Sequence, residues 1–393
     1  MPVNFEQLRP QILQTEISLG LQTKERNAQL QEACDFFHKL ASDGVVIDRL
    51  QKAFIANPGK QCAIPTSQPI DGSYSVDTTA NQEITVLAAD GSQISPNRHE
   101  AVYFGLINAA VFIFRTHSAE IPSVVTETTL IHPEPENQSD DDVDENMIAL
   151  QRDIAERKLL AKEACQIDNG KPVIALIDGP LEIFNIRQSF QIQKKLFEEY
   201  QSAIRQLSQK NIITAGYIDR PRADYVIRML NILADDQSQS EHSGFSRYPL
   251  ICDSDIFSAF LQPGERSSLF HLDSKIGSET KDSIEISFFY LNIGKTRQPV
   301  IARIEIPSWT AQNYESINLL HACILEQTGI LRDNPYPYVL HRAHESALIQ
   351  FSEKNRITNL MVQNLSKQEK TFFQKSNKLM LKDMSNKKIS IES

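Results

Sequence analysis

Residues 84–94 read ITVLAADGSQI, and the reading of Asp90 within them decides the fold. Ile84, Val86, Leu87, Ala88 and Ala89 form an apolar run of the kind that fills a buried β-strand. The run ends on a carboxylate, followed at once by Gly91 and Ser92. A charge closing a buried strand is costly unless it is solvated, paired or bound to a cation. The simplest reading is a hairpin turn, because Asp and Gly tolerate positive φ. A second stretch, VIALIDGPL at 173–181, repeats the pattern and ends on Asp178 and Gly179. Two apolar strands that both finish on Asp-Gly set the expectation that two carboxylates meet at one sheet edge. Open sheets bind ligands beyond the carboxyl ends of their strands, so chemistry is expected there.

Between the two strands, NMIALQRDIAERKLLAKEACQ (146–166) gathers Ile148, Ile154, Leu159, Leu160 and Ala164 on one side of an amphipathic helix. The same helix carries Glu156 and Glu163, separated by about 700° of rotation and therefore nearly on one face. Either glutamate joining Asp90 and Asp178 makes a site of three acids that repel one another. A divalent cation relieves the repulsion, and oxygen ligands suit Mg²⁺ or Mn²⁺. Such an ion polarises a phosphate and activates water, the logic of phosphodiester hydrolysis. Late in the chain, DNPYPYVLHRAHESALI (333–349) sets His341 and His344 at an expected helix start, with Tyr336 upstream. His344 reads either as a capping or packing residue, or as a metal ligand or proton carrier.

The 393 residues are 41% hydrophobic and 23% charged, enough to bury a sizeable core in one large domain or two. A formal net charge of −10 excludes a globally basic nucleic-acid binder, so DNA contacts would need local positive patches. The scattered Cys34, Cys62, Cys165, Cys252 and Cys323 contain no CxxC pair and read as reduced thiols of a cytoplasmic protein. The polar N-terminus lacks the apolar core of a signal peptide, and no apolar run is long enough to span a membrane.

The periodicity predicts helix over 5–57 and a Pro, Gly, Ser and Thr-rich linker over 58–83. It predicts one or two strands over 100–115, a half-buried strand over 122–133 and an acidic solvated loop over 134–146. A helix over 189–211 and the strand IITAGYID follow, then a polar loop over 236–245. Segments 284–294 and 298–307 read as a strand pair, and 315–330 and 344–365 as helices. The tail 366–393 holds seven lysines against three acids and reads as disordered, either solubilising or a nonspecific phosphate binder. The expected class is a mixed α/β sheet flanked by helices. The expected boundaries are a helical segment and linker over 1–80, a main domain over 81–365 and the tail.

Taken in order, AADGSQISPNRHEAVYFGLINAA, VIALIDGPL, GYIDRPR, LQPGERSSLF and NPYPYVLHRAHESALI resemble the motifs of the NurA nucleases, over roughly residues 84–350. The resemblance implies an RNase H-like core, here with helical N-terminal and C-terminal elaborations. It implies a manganese-dependent nuclease acting on DNA (Mn²⁺ or Mg²⁺), and a homodimer working with a HerA-type hexameric ATPase in DNA end resection and repair. It places Asp90, Glu156, Asp178, Tyr336 and His344 in the catalytic set, with Asp90, Glu156, Asp178 and His344 as metal ligands. Tyr336 and His344 keep the family's eight-residue spacing, and Glu156 is preferred to Glu163 because an arginine precedes it by four residues. Where the family often has a lysine after the third core strand, this chain has Arg220 and Arg222. These two and Arg266 are the candidate DNA contacts, Arg266 reading equally as a turn arginine paired with an acid. Trp309 reads as a packed aromatic at a sheet end before a base-stacking platform. The competing reading is a catalytically silent NurA-like subunit that regulates an ATPase. The absence of a Gly-rich phosphate loop argues against a sugar kinase of the actin type.

Overall fold

The structure, a computed structural model, describes residues 4–41, 46, 49–50, 61–77, 82–97, 100–131, 145–181, 191–238, 246–272, 284–295, 298–332 and 334–369. Most of the acidic segment and of the Lys-rich tail therefore lie outside the described residues. The chain forms two compact units. The first comprises residues 1–81, 179–182 and 214–337, and the second 82–178, 183–213 and 338–393.

Along the chain the elements begin with α1 (Phe5–Ala41), β1 (Ala63–Pro65), β2 (Ser73–Tyr74), β3 (Thr85–Ile94), β4 (Gly105–Arg115) and β5 (Ser123–Ile131). They continue with α2 (Glu145–Gln166), β6 (Val173–Asp178), α3 (Gln191–Gln209), β7 (Ile213–Asp219), α4 (Tyr225–Ser238) and α5 (Asp253–Phe260). Then come β8 (Arg266–Ser267), β9 (Phe270–Leu272), β10 (Ile286–Asn292), β11 (Ile301–Pro307), α6 (Ser308–Ala311) and α7 (Tyr314–Ile330). The last are α8 (Tyr338–Ala347) and α9 (Phe351–Glu369).

In the second unit β3, β4 and β5 form an antiparallel meander, and β6 returns through α2 to lie parallel to β3 on its other side. The ladder between β3 and β4 runs without a bulge from Thr85↔Arg115 to Ile94↔Leu106, so side chains alternate strictly between two faces. Even-numbered residues face α8: the Tyr338 ring meets Phe112 and Phe114 edge-on at 5.9 Å. Odd-numbered residues face α2: a Cβ on Gly105 would touch Ile148 at 3.4 Å. Both faces are covered, so Val86, Leu87, Ala88 and Ala89 are all buried, whereas β5 at the outer margin is mostly exposed instead of half-buried. The expected single helix over 344–365 is two. Leu348 N–H donates to the His344 carbonyl as α8 closes, and Glu353 accepts from Gln350 N–H (2.8 Å) to cap α9. Helix α9 then packs Ile357, Met361 and Val362 against Val102, Phe104 and Leu106.

In the first unit the strand order is β1, β9, β10, β11, β7, all antiparallel. Its core joins Phe37 of α1, Leu230 of α4, Phe257 of α5 and Phe288 and Tyr290 of β10. Helices α4 and α5 were not among the expected elements. The carboxylate of Asp253, at the start of α5, caps the first turn of α4 by accepting from Val226 N–H (3.0 Å) and Ile227 N–H (2.9 Å). Tyr290 Oη donates to the same carboxylate at 2.7 Å. Burial pushes the Asp253 carboxyl up to about 6, while these three hydrogen bonds favour its ionised form.

His321 of α7 is also buried, with Nε2 2.9 Å from the Gly264 carbonyl oxygen, to which it donates. Burial pushes its pKa down to about 4, with the nearby Arg266 adding to the effect. The native state therefore binds fewer protons than the unfolded state between about pH 6.5 and 4, and stability falls as pH drops through that window. His321→Asn is expected to remove this component, about 3 kcal/mol at full extent. Urea midpoints at pH 7 and pH 4.5 measure it, and an equal acid loss in both proteins would refute the assignment.

Candidate active site

Asp90 does not end its strand. It pairs with Ala110, Gly91 with Ala109 and Ser92 with Asn108, so the Asp-Gly is strand interior and not a hairpin turn. The charge is tolerated because it is paired. Asp90 Oδ1 accepts from Gly91 N–H (2.8 Å), and Oδ2 lies 2.6 Å from His344 Nδ1. His344 sits in the last turn of α8, not at a helix start, with its side chain 56% exposed. His341 is turned elsewhere, its Nε2 3.6 Å from Glu345 Oε1.

Asp178 is the last residue of β6 and is exposed. The register pairs Ala89 with Ile177, which carries Asp90 and Asp178 to neighbouring positions on the same, α8-facing side of adjacent strands. Strand spacing puts their backbones about 4.8 Å apart. Gly179 follows with φ of +99°, a conformation that side chains resist, so the chain leaves the strand directly after the carboxylate.

Glu156 approaches β3 from the opposite face. A Cβ on Gly91 would lie 2.5 Å from Glu156 Oε1 and 2.8 Å from Arg152 Cγ, so only glycine leaves room for this pair. Glu156 is 5% exposed and meets Arg152 Nε at 3.2 Å. Burial pushes its carboxyl up to about 8; Asp153 and Asp90 add to this, and Arg157 and Arg152 oppose it. Glu163 is half-buried two turns further along α2, roughly 10 Å from Glu156 by helical rise.

The structure thus brings Asp90, Asp178 and His344 together on one face and sets Glu156 against the other. Among the described residues no group of three or more His, Cys, Asp or Glu side chains is closed tightly enough to hold a metal. The donor set fits a hard divalent cation in kind: two adjacent carboxylates, a third that burial disfavours as an anion, and a histidine.

In the first unit, Tyr336 is half-buried with its ring edge-on to Tyr217 at 5.4 Å. Arg220 is 83% exposed, 3.9 Å from Asp219, and Arg222 is exposed. Arg266 is a correction. It is fully buried, its guanidinium 4.4 Å from the Tyr74 ring centroid, and Nη1 donates to the Ser267 carbonyl. It has no surface to offer a phosphate and is a core residue. Trp309 is half-buried in α6. Two residues of the α8-facing side escaped notice, Ser92 and Asn108. Alternation along β3 places Ser92 beside Asp90 only when the strand continues past Asp90, whereas the apolar run predicts that it ends there.

Residues 84–349, well over half of the chain, match the NurA domain. The chain belongs to the NurA family. The crystal structure of the NurA nuclease from Sulfolobus solfataricus is similar at a TM-score of 0.51 and 13% identity, covering 86% of this chain and 99% of that one. The catalytic domain of human Endonuclease V aligns more loosely, with a TM-score of 0.31 and 13% identity over 72% of this chain and 87% of its own. No curated protein matches. The NurA domain of this chain has the RNase H-like mixed α/β arrangement, with the antiparallel meander, the crossover helix and the parallel fourth strand in place. Among the described residues no helix is long and apolar enough to cross a membrane.

Proposed function

We propose that this NurA-family chain is a divalent-metal-dependent deoxyribonuclease that hydrolyses phosphodiester bonds. The observation that carries the reading is the juxtaposition of Asp90 and Asp178 on one face, with His344 Nδ1 2.6 Å from Asp90. Asp90 and Asp178 would hold the cation, Mn²⁺ or Mg²⁺, with Glu156 supporting from across Gly91. When bound, the ion supplies Lewis acidity toward the phosphate and an activated water.

The chain's own groups do the rest. Asp90 fixes the tautomer of His344: with Nδ1–H donated to the carboxylate, Nε2 keeps the lone pair that accepts or, once protonated, returns a proton. Tyr336 is proposed as a further group of the set, by its spacing from His344. Arg220 and Arg222, exposed after β7, offer bidentate contacts to backbone phosphates. By family membership we further propose a homodimer that acts with a HerA-type hexameric ATPase in DNA end resection and repair, in the cytoplasm.

End-labelled single- and double-stranded DNA, incubated with the purified chain in Mn²⁺, Mg²⁺ or EDTA, tests the activity. Cleavage that needs the ion is expected, and no cleavage in either ion would overturn the reading. One observation favours a second reading, a silent subunit that regulates the ATPase: the acids form no closed group of three among the described residues. Ion-dependent cleavage by the chain alone separates the two.

A further inference from the structure

We infer that Ser92 and Asn108 are positioning residues that staple the last turn of α8 to the sheet and so hold His344 on Asp90. The inference deepens the nuclease reading and rests on it for the activity it would govern.

A helix leaves its last four carbonyls without intrahelical partners, and they are ordinarily met by water or a cap. The carbonyl of Ala347, the final residue of α8, instead accepts from two sheet side chains. Ser92 Oγ donates at 2.5 Å and Asn108 Nδ2 at 2.9 Å. The two donors are register partners across β3 and β4. The Asn108 amide is oriented from behind, since Thr128 Oγ1 on β5 donates to its Oδ1 at 2.7 Å and leaves Nδ2 aimed at the helix. Thr128 is in turn the register partner of Asn108. A row of three polar side chains across three strands therefore ends on one helix carbonyl.

The consequence for His344 is geometric. Asp90 and Ser92 share a face of β3 and are separated by roughly 7 Å of strand. His344 and Ala347 are separated by roughly 4.5 Å of helix rise. Helix α8 therefore touches β3 at two nearby points, His344 on Asp90 and Ala347 on Ser92. At its other end Tyr338 sits against Phe112 and Phe114. A one-residue slip of α8 rotates it by about 100° and breaks both polar contacts together. Neither Ser92 nor Asn108 has any need to touch substrate; they act through where the imidazole stands.

The test uses the full chain as S92A, N108A, the double variant S92A/N108A and the conservative S92T, with S92A also made in an H344A background. The first readout is amide hydrogen exchange over residues 338–348, which needs no activity. It is expected to speed up in S92A/N108A and to stay at the wild-type rate in S92T. The second is single-turnover DNA cleavage in Mn²⁺ with filter binding in Ca²⁺. The double variant is expected to lose about 10–100-fold in rate, with DNA affinity within about twofold and S92T close to wild type. In the H344A background S92A should cost nothing further, because the group it positions is gone.

Unchanged exchange over 338–348, or an S92A loss that persists undiminished without His344, overturns the inference while leaving the nuclease reading standing. If the wild-type chain cleaves no DNA, the nuclease reading falls and the exchange result alone decides the staple. Should the double variant not fold, S92A against S92T carries the same comparisons.

Discussion

Asp90→Asn is expected to lower DNA cleavage by at least about a thousandfold, roughly 4 kcal/mol of transition-state stabilisation. The substitution keeps the shape of the side chain and the strand pairing with Ala110. It removes the negative charge that neighbours Asp178 and fixes the proton on His344 Nδ1. Asp178→Asn, on the adjacent strand, is expected to give a loss of the same order. Both variants should bind DNA in Ca²⁺ with the salt dependence of the wild type, because the residues proposed to hold backbone phosphates, Arg220 and Arg222, are unchanged. Single-turnover rates beside filter binding make the measurement. A folded Asp90→Asn chain that cleaves at the wild-type rate would remove this carboxylate from the chemistry.

Asp253→Ala is expected to be the most damaging single change to stability, by about 3–5 kcal/mol. The carboxylate is buried and receives Val226 N–H, Ile227 N–H and the Tyr290 hydroxyl. Its removal strands three donors and uncaps the first turn of α4. Asp253→Asn is a poor remedy, since an amide nitrogen would face donors. The loss reads out as a lower thermal midpoint by calorimetry. A midpoint for Asp253→Ala equal to wild type would show that the three donors find water instead.

The sheet of the second unit was legible wherever burial and alternation agreed. The apolar run before Asp90, the helix Glu145–Gln166 and the strand ending on Asp178 all follow from periodicity. Asp90 and Asp178 could be paired in advance because both close the same kind of run. What hid the geometry around Asp90 was a local rule losing to a long-range one. Asp-Gly favours a turn, but ten ladder pairs with β4 carry the strand straight through it. Spacing left Glu156 and Glu163 both open, and that Glu156 lies across the strand from Asp90 depends on which face each helix covers. The break between α8 and α9 holds neither glycine nor proline. Its signal is the Gln350-to-Glu353 cap, a weak cue beside the apolar spacing that spans it. Helix α5 is similarly announced only by Cys252 N–H donating to Asp255 (2.9 Å). Arg266 misled because an arginine in a turn-like stretch reads as surface, and nothing local foretells an aromatic pocket made by Tyr74 and Phe289.

The pair of Asp90 and His344 joins residues 254 positions apart. At bacterial-to-eukaryotic synthesis speeds of about 5–20 residues per second, Asp90 emerges from the ribosome roughly 10–50 s before its partner has been made. During that interval the even-numbered side of β3 has no α8 to cover it. A nascent chain past residue 178, or one truncated by a premature stop between residues 178 and 344, holds the strand and both aspartates but cannot complete the pair, however well its sheet is formed.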